Sequence, residues 1–283
     1  MPLKIGLDVG GTKILGVAMD KGVVLKKKKI AVGEPSQDVF AKAMSGLVTL
    51  LLDGKPTKSV TMGVGLPGYS ENGILLKAAN LQFMEGFDFK KFFKKRGFKK
   101  VSIDGDAACF ALGESLRLGK KNLVGITLGT GIGCGIVLHG KIYHGLGNAG
   151  ELAHTIIHPN GWKCPCGNRG CIEEYFSTRA LMRETKKVFG KAVDAYDLNL
   201  LCKKGDKLAD LVCRRLGLYL GLCLGNVANL INPEAISISG GLAQNKLLVK
   251  YGIEEMRKVI YFREPKIVFG KYESAAVGAA NLK

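Results

Sequence analysis

Residues able to do chemistry concentrate between Leu128 and Ser177, LGTGIGCGIVLHGKIYHGLGNAGELAHTIIHPNGWKCPCGNRGCIEEYFS. Gly129-Thr130-Gly131-Ile132-Gly133 is a glycine-rich turn between two apolar runs, Val124–Leu128 and Cys134–Leu138. Only glycine lets backbone N–H groups approach an anion closely, so a strand, a glycine turn and a second strand make a cradle for phosphate. Downstream, His154 precedes Cys164 by ten residues, and Cys164, Cys166 and Cys171 follow in a tight cluster whose turn Gly167 and Gly170 permit. One histidine and three cysteines are a full tetrahedral set for structural zinc, with no position left open. The alternative is a group of reduced thiols that merely pack.

Two further glycine turns and one carboxylate extend the set. Asp8 ends a short apolar strand and precedes Gly10-Gly11-Thr12-Lys13. The turn offers N–H groups and Thr12 a hydroxyl, which suits a Mg²⁺–phosphate site but also an ordinary hairpin. Gly240-Gly241 follows the apolar run Ala235–Ile238 and precedes a helix, a place for a nucleotide's phosphates or adenosine. Asp106 stands between a strand at Val101–Ile103 and the helix formers Ala107–Leu116, which reads as an N-cap. It either only caps or is a rigid carboxylate facing a cleft and kept ionised by the helix dipole. Gly68 closes a Gly-Leu-Pro-Gly loop at the end of a buried strand, Val60–Leu66, where ligands of α/β sheets bind.

The elements that must position these residues alternate between strand and helix. Strand–glycine turn–strand hairpins are expected at 4–19 and 124–138, with a third strand at Val23–Val32. Helical spacing marks Gln37–Leu52, Ile172–Phe189 and Asp206–Ile231, the last stopped by Pro233, and a short helix ends the aromatic stretch after Asn80-Leu81. Ile267–Phe269 is the last strand and Ser274–Leu282 a helix of small residues. This is an α/β pattern in two related halves, with room for ATP between them.

Composition narrows the class. The chain has 283 residues, 47% hydrophobic and 23% charged, as expected of a globular protein large enough for two domains sharing a cleft. Net charge is +18, concentrated in Lys26–Lys29 and Lys90–Lys100. That is a solvated basic face or a polyanion-binding surface; the cysteine spacing is wrong for a C₂H₂ finger, so no nucleic-acid partner is expected. The N-terminus opens straight into MPLKIGLDVGG without a signal-peptide pattern, and no apolar run approaches the ~20 residues needed to span a bilayer. A cytoplasmic protein is expected, with three of its eight cysteines on metal and five as buried thiols.

DVGGTK at 8–13, LGTGIGCGI at 128–136, GELAH…CPCGNRGCIE at 150–173, ISGG at 238–241 and ESAAVGAANL at 273–282 together resemble the ROK family over nearly the whole chain. That family groups sugar kinases with sugar-responsive repressors inside the actin-like ATPase fold. The resemblance implies two actin-like (ribonuclease H-like) α/β domains with an active-site cleft between them. The first would be residues 1–105 with the C-terminal helix at about 273–283, the second residues 106–272. It implies an ATP- and Mg²⁺-dependent hexose kinase, glucokinase-like and acting on the 6-OH of glucose, and a homodimer. Asp106 matches the catalytic base. Asp8, Gly10, Gly11, Thr12 and Lys13 resemble the first phosphate motif, Gly129, Thr130, Gly131 and Gly133 the second, and Gly240 and Gly241 the adenosine motif. Glu151, His154 and Glu173 match sugar-holding side chains, with Gly68, Asn80 and Gly105 also on the sugar side. His154, Cys164, Cys166 and Cys171 match zinc ligands, so that one His154 nitrogen would bind zinc and the other a sugar hydroxyl. Gly105 and Ala108 depart from the family, which has Asn at both positions, and that bears on sugar preference. Other hexoses and N-acetylhexosamines, a non-catalytic sugar-binding protein, and polyphosphate as donor are the alternatives. A DNA-binding regulator is not expected, because only seven residues precede Asp8.

Overall fold

The computed structural model describes residues 2–283. Strands β1 (Leu3–Val9), β2 (Lys13–Asp20) and β3 (Val23–Ala31) lead into helix α1 (Gln37–Leu52), β4 (Val60–Leu66), a short pair β5 (Tyr69–Glu71) and β6 (Ile74–Lys77), α2 (Phe89–Lys95), β7 (Lys100–Gly105) and α3 (Asp106–Leu118). There follow β8 (Leu123–Leu128), β9 (Ile132–Leu138), β10 (Lys141–Ile142), α4 (Thr178–Phe189), α5 (Ala195–Lys203), α6 (Lys207–Ile231), β11 (Ala235–Ser239), α7 (Lys246–Val259), β12 (Lys266–Phe269) and α8 (Ser274–Ala280). Two five-stranded sheets have the orders β3-β2-β1-β4-β7 and β10-β9-β8-β11-β12. Both follow one plan: the first strand of a glycine-turn hairpin is central, and two parallel strands extend the sheet from it. The two hairpins expected from sequence are the matching parts of this repeat.

The chain divides into two compact units, one of residues up to Lys121 with Gly135–Tyr143 and Lys271–Lys283, the other of Asn122–Cys134 with His144–Gly270. The boundary expected after residue 105 is thereby corrected, since α3 belongs to the first unit. The cause is its close approach to α8. A Cβ at Gly113 would collide with the Ser274 carbonyl, and one at Gly278 with the Cys109 carbonyl. Buried Glu114 of α3 also accepts the Lys271 N–H at 3.1 Å and the Ser274 hydroxyl, and takes Arg117 in a bidentate pair.

In the first unit the sheet has two different faces. Ile5, Leu7, Val9, Met62, Val64 and Leu66 alternate onto one face and pack with Phe40, Met44, Leu47 and Leu51 of α1 and with Phe89 and Phe93 of α2. On the other face Gly6 and Gly63 pair in register and are bare, which lets the Ala276 and Ala279 carbonyls of α8 lie against the strands. The small residues of α8 are what this approach requires.

In the second unit α6 is the long helix expected, capped by Asp206 accepting the Ala209 N–H at 2.8 Å. Asn232 ends it in the left-handed region (φ 48°), one residue before Pro233. By length and composition alone α6 could cross a membrane. Its Gly217, Gly221 and Gly225 instead seat Tyr251, Glu255, Met256 and Val259 of α7, so most of its apolar residues are core, with Leu208, Leu211, Leu218 and Leu230 left exposed. The helix expected over Ile172–Phe189 is interrupted: Ile172–Glu174 is a single 3₁₀ turn, and Ser177 restarts the chain as an N-cap by accepting the Ala180 N–H at 3.2 Å. Of the five non-cluster cysteines, Cys134 and Cys202 are only half-buried.

Candidate active site

In the first unit the carboxyl ends of β1, β4 and β7 lie in register, Asp8 beside Gly65, Gly65 beside Asp104, and Leu66 beside Gly105. Residues level on neighbouring parallel strands share a face, so Asp8 and Asp104 stand on the face that carries α8. Gly65 between them is bare because α3 starts there: a Cβ would lie 3.3 Å from the Cys109 sulfur and 3.5 Å from the Asp106 Cα. Strand glycines mark such approaches, and the Gly63-Val-Gly65 spacing was the available signal for this one.

The sequence made Asp106 the N-cap of α3, and this is corrected: Asp106 is the first residue of the helix and Gly105 holds the N-cap position, with φ −63° and ψ 143°. The Ala107 N–H donates to Asp106 Oδ1 at 2.7 Å. Burial nevertheless pushes the Asp106 carboxyl up to about 6, against the pull of that N–H. Desolvation outweighs the helix terminus that was expected to keep this carboxyl ionised. At pH 7 it is still roughly ten-to-one ionised. Asp8 is pushed further, to about 7, by burial and then by the negative charge of Asp106. A carboxyl whose ionisation is opposed by a second carboxylate fits a Mg²⁺ site, since that ion takes one or two carboxylates with waters and phosphate oxygens.

The first glycine turn is closed by the Gly10 N–H donating to the Lys13 carbonyl at 3.0 Å, and Thr12 and Lys13 are exposed. A Cβ at Gly11 would collide with the Asn80 carbonyl, and one at Gly68 (φ 80°) with that of Lys77. Gly11 and Asn80 are therefore in contact, and Gly68 folds onto the segment just before Asn80. Gly105 has open space where a side chain would project.

In the second unit the Gly129 N–H donates to the Gly131 carbonyl at 3.0 Å. Thr178, missed from sequence, fixes this turn from α4, its N–H and its hydroxyl each donating to the Gly129 carbonyl at 2.8 Å. Glu173 lies against the same turn: the Ile132 N–H donates to its Oε2 at 3.1 Å, and a Cβ at Gly131 would collide with that oxygen. Arg179 reaches the other Glu173 oxygen at 3.6 Å. The Gly240-Gly241 turn is close by, since Gly240 (φ 100°) is bare against the Leu128 backbone. Thr130 is exposed, and Gly133 lies within β9.

The sulfur–imidazole cluster is complete. The ligand atoms of His154, Cys164, Cys166 and Cys171 lie within 4.8 Å of one another, with His154 Nδ1 3.8 Å from the Cys164 sulfur and the Cys166 and Cys171 sulfurs 3.6 Å apart. A tetrahedron with Zn–S bonds of about 2.3 Å separates its ligands by roughly 3.8 Å, so the four donors fit zinc. The loop is closed by the Cys164 N–H donating to Asn168 at 2.8 Å and the Gly167 N–H to Cys164 at 3.0 Å. The Asn168 N–H lowers the Cys166 thiol below its ordinary range. His154 turns Nε2 the other way, 3.9 Å from Glu151 Oε2, and Glu151 is exposed.

A family model described as the ROK family matches residues 4–282. The chain is 31% identical to a glucokinase of Thermotoga maritima, over 96% of its length and 91% of the relative's. It is 30% identical to an N-acetyl-D-glucosamine kinase of Photobacterium profundum, over 95% of each chain. Among solved structures it is similar to a ROK family glucokinase from Streptomyces griseus in complex with glucose and AMPPNP, with a TM-score of 0.80, 28% identity, and coverage of 99% of this chain and 98% of that one.

Proposed function

Because the chain belongs to the ROK family, we propose that it transfers the γ-phosphoryl group of ATP to a hexose hydroxyl, with the 6-OH of glucose as the acceptor. Its repeated α/β topology is the actin-like fold of that family's kinases. The observation that carries the reading is Asp106, a half-buried carboxylate held at about 6 beside Asp8, at the ends of parallel strands next to a glycine turn.

Asp106 accepts the proton of the sugar hydroxyl as its oxygen attacks phosphorus. A carboxylate mostly ionised at pH 7 and more basic than an ordinary aspartate suits that task. The transition state of phosphoryl transfer is loose, so placing the hydroxyl matters more than base strength. Asp8 and Thr12 would hold Mg²⁺ with the phosphates, and the ion would neutralise charge developing on them. The N–H groups of the Gly10–Lys13 and Gly129–Gly133 turns, and the Gly240-Gly241 turn, are assigned to the nucleotide. His154, Cys164, Cys166 and Cys171 would hold zinc, which would leave no open position and would serve to orient His154. That leaves His154 Nε2 and Glu151 for sugar hydroxyls. Glu173 joins them while accepting the Ile132 N–H, and so ties the sugar side to the phosphate turn.

The second reading, an N-acetylhexosamine acceptor, is favoured by the open space at Gly105 beside Asp106, which admits a bulkier sugar. Comparing kcat/KM for glucose and N-acetylglucosamine decides between them. At least a tenfold preference for glucose supports the first reading and the reverse the second. No turnover of either sugar removes both.

A further inference from the structure

Away from the residues used above, α5, α6 and the start of α7 bring two thiols and an amide together. The Cys202 and Cys213 sulfurs are 3.3 Å apart, and Asn245 Nδ2 lies 3.4 Å from the first and 3.5 Å from the second. Cys213 is buried and Cys202 half-buried, so one thiol is reachable and its partner is held behind it. We propose that Cys202 and Cys213 are a peroxide-reactive thiol pair that closes to a disulfide and thereby releases Asn245 from the start of α7.

The assignment of roles follows from the surroundings. A hydrogen bond from Cys213, joined by one from Asn245, draws the Cys202 thiol down to about 7 against its burial and the charges of Asp210 and Asp206. Cys213 is driven far up by the same hydrogen bond and by burial. The free thiols Cys109, Cys134 and Cys223 are all raised by burial. Cys202 is thus the attacking thiolate and Cys213 the resolving thiol. The Cys202 thiolate attacks one peroxide oxygen; an S–O bond forms, the O–O bond breaks, and hydroxide leaves. The Cys213 sulfur then attacks the Cys202 sulfur; the S–S bond forms, the S–O bond breaks, and the departing hydroxide takes the Cys213 proton as water. Two thiols and one hydrogen peroxide become one disulfide and two waters, and a dithiol reductant reverses it. The sulfurs need to close from 3.3 Å to about 2.05 Å.

The consequence lies at Asn245. Its Oδ1 accepts the Leu248 N–H at 3.1 Å and caps α7, while Nδ2 donates to the two sulfurs. A disulfide sulfur accepts a hydrogen bond far less well than a thiolate, so oxidation frees the side chain that caps α7. Asn245 follows the Gly240-Gly241 turn by four residues.

The test is peroxide titration of the zinc-loaded full chain, followed by peptide mapping, with zinc release measured in parallel. None of it depends on the phosphoryl-transfer reading. The wild type should lose two mass units per chain, mapped to a Cys202–Cys213 link. Cys213→Ser should instead stop at a Cys202 sulfenic acid that a 1,3-diketone traps, and Cys202→Ser should leave Cys213 at least tenfold slower to react. Amide exchange at Leu248 should rise several-fold in the oxidised chain and recover with dithiol. Free Cys202 and Cys213 thiols at peroxide levels that already release zinc would overturn the pair. Unchanged Leu248 exchange in a chain shown to be linked would overturn the effect on α7.

Discussion

Asp106 has to stay ionised while half-buried and desolvated beside Asp8, and its chemistry and its cost have the same source. The carboxyl is raised from 3.8 to about 6, so its proton-accepting form is lost as pH falls through 6. We predict that kcat/KM for the sugar falls tenfold per pH unit below about 6; a profile flat to pH 5 would remove Asp106 as the base. The stability consequence has the opposite sense. A carboxyl whose folded pKa is above its unfolded one costs nothing below about 4 and its full amount above about 6. With each tenfold worth about 1.4 kcal/mol, Asp106→Asn should make the folded chain about 1–3 kcal/mol more stable at pH 7 and no more stable at pH 4, read from denaturant midpoints. A loss of stability at pH 7 would show that the Ala107 N–H, and not burial, dominates this carboxyl. The glycine turns and the cysteine cluster were legible in the sequence because their chemistry is local, whereas Asp106 was legible only as a carboxylate at a strand–helix junction. The raised carboxyl was not, since it comes from Gly65 letting α3 settle onto strands that lie far away along the chain.

The elements were legible where the apolar pattern is long or cleanly bounded. α1 falls at its expected bounds because its apolar residues keep a helical period, and β4 because a short apolar run is closed by Pro67-Gly68. The stretch Ile172–Phe189 misled because its composition is helical, while Ser177 restarts the helix and leaves Glu173 on a separate turn against Gly131. α5 went unseen; Leu198 is its one fully buried residue. The α3–α8 contact holds the helix that begins at Asp106, and it has no slack. Gly278→Ala should cost about 1–3 kcal/mol by overpacking and lower turnover with it; an unchanged denaturant midpoint would mean that the helices can part freely. The zinc loop makes a separate prediction. Stripping the metal with a strong chelator should raise the KM for sugar at least tenfold and leave the pH profile in place, because His154 loses its orientation and Asp106 keeps its own. An unchanged KM would separate the cluster from the sugar.

At the scale of the whole chain, one sheet plan occurs twice, and each copy carries a glycine-turn hairpin on its central strand. The duplication was visible in sequence only as two hairpins, because a parallel sheet order depends on pairings between distant strands. The positive charge, in contrast, was legible but has found no task in the reaction. Lys91, Lys95 and Arg96 line a cleft of about 720 Å³ in the first unit together with Asp38 and Asp88, with Arg96 stacked 3.5 Å over Phe92. The central claim remains that Asp106 takes a proton from a sugar hydroxyl. The direct measurement is ADP formation from Mg·ATP across a panel of hexoses and N-acetylhexosamines, for the wild type and for Asp106→Asn. The account predicts sugar-dependent turnover that falls by about 10²–10⁴ in the variant while sugar affinity holds. Sugar-dependent turnover that survives the substitution would contradict it.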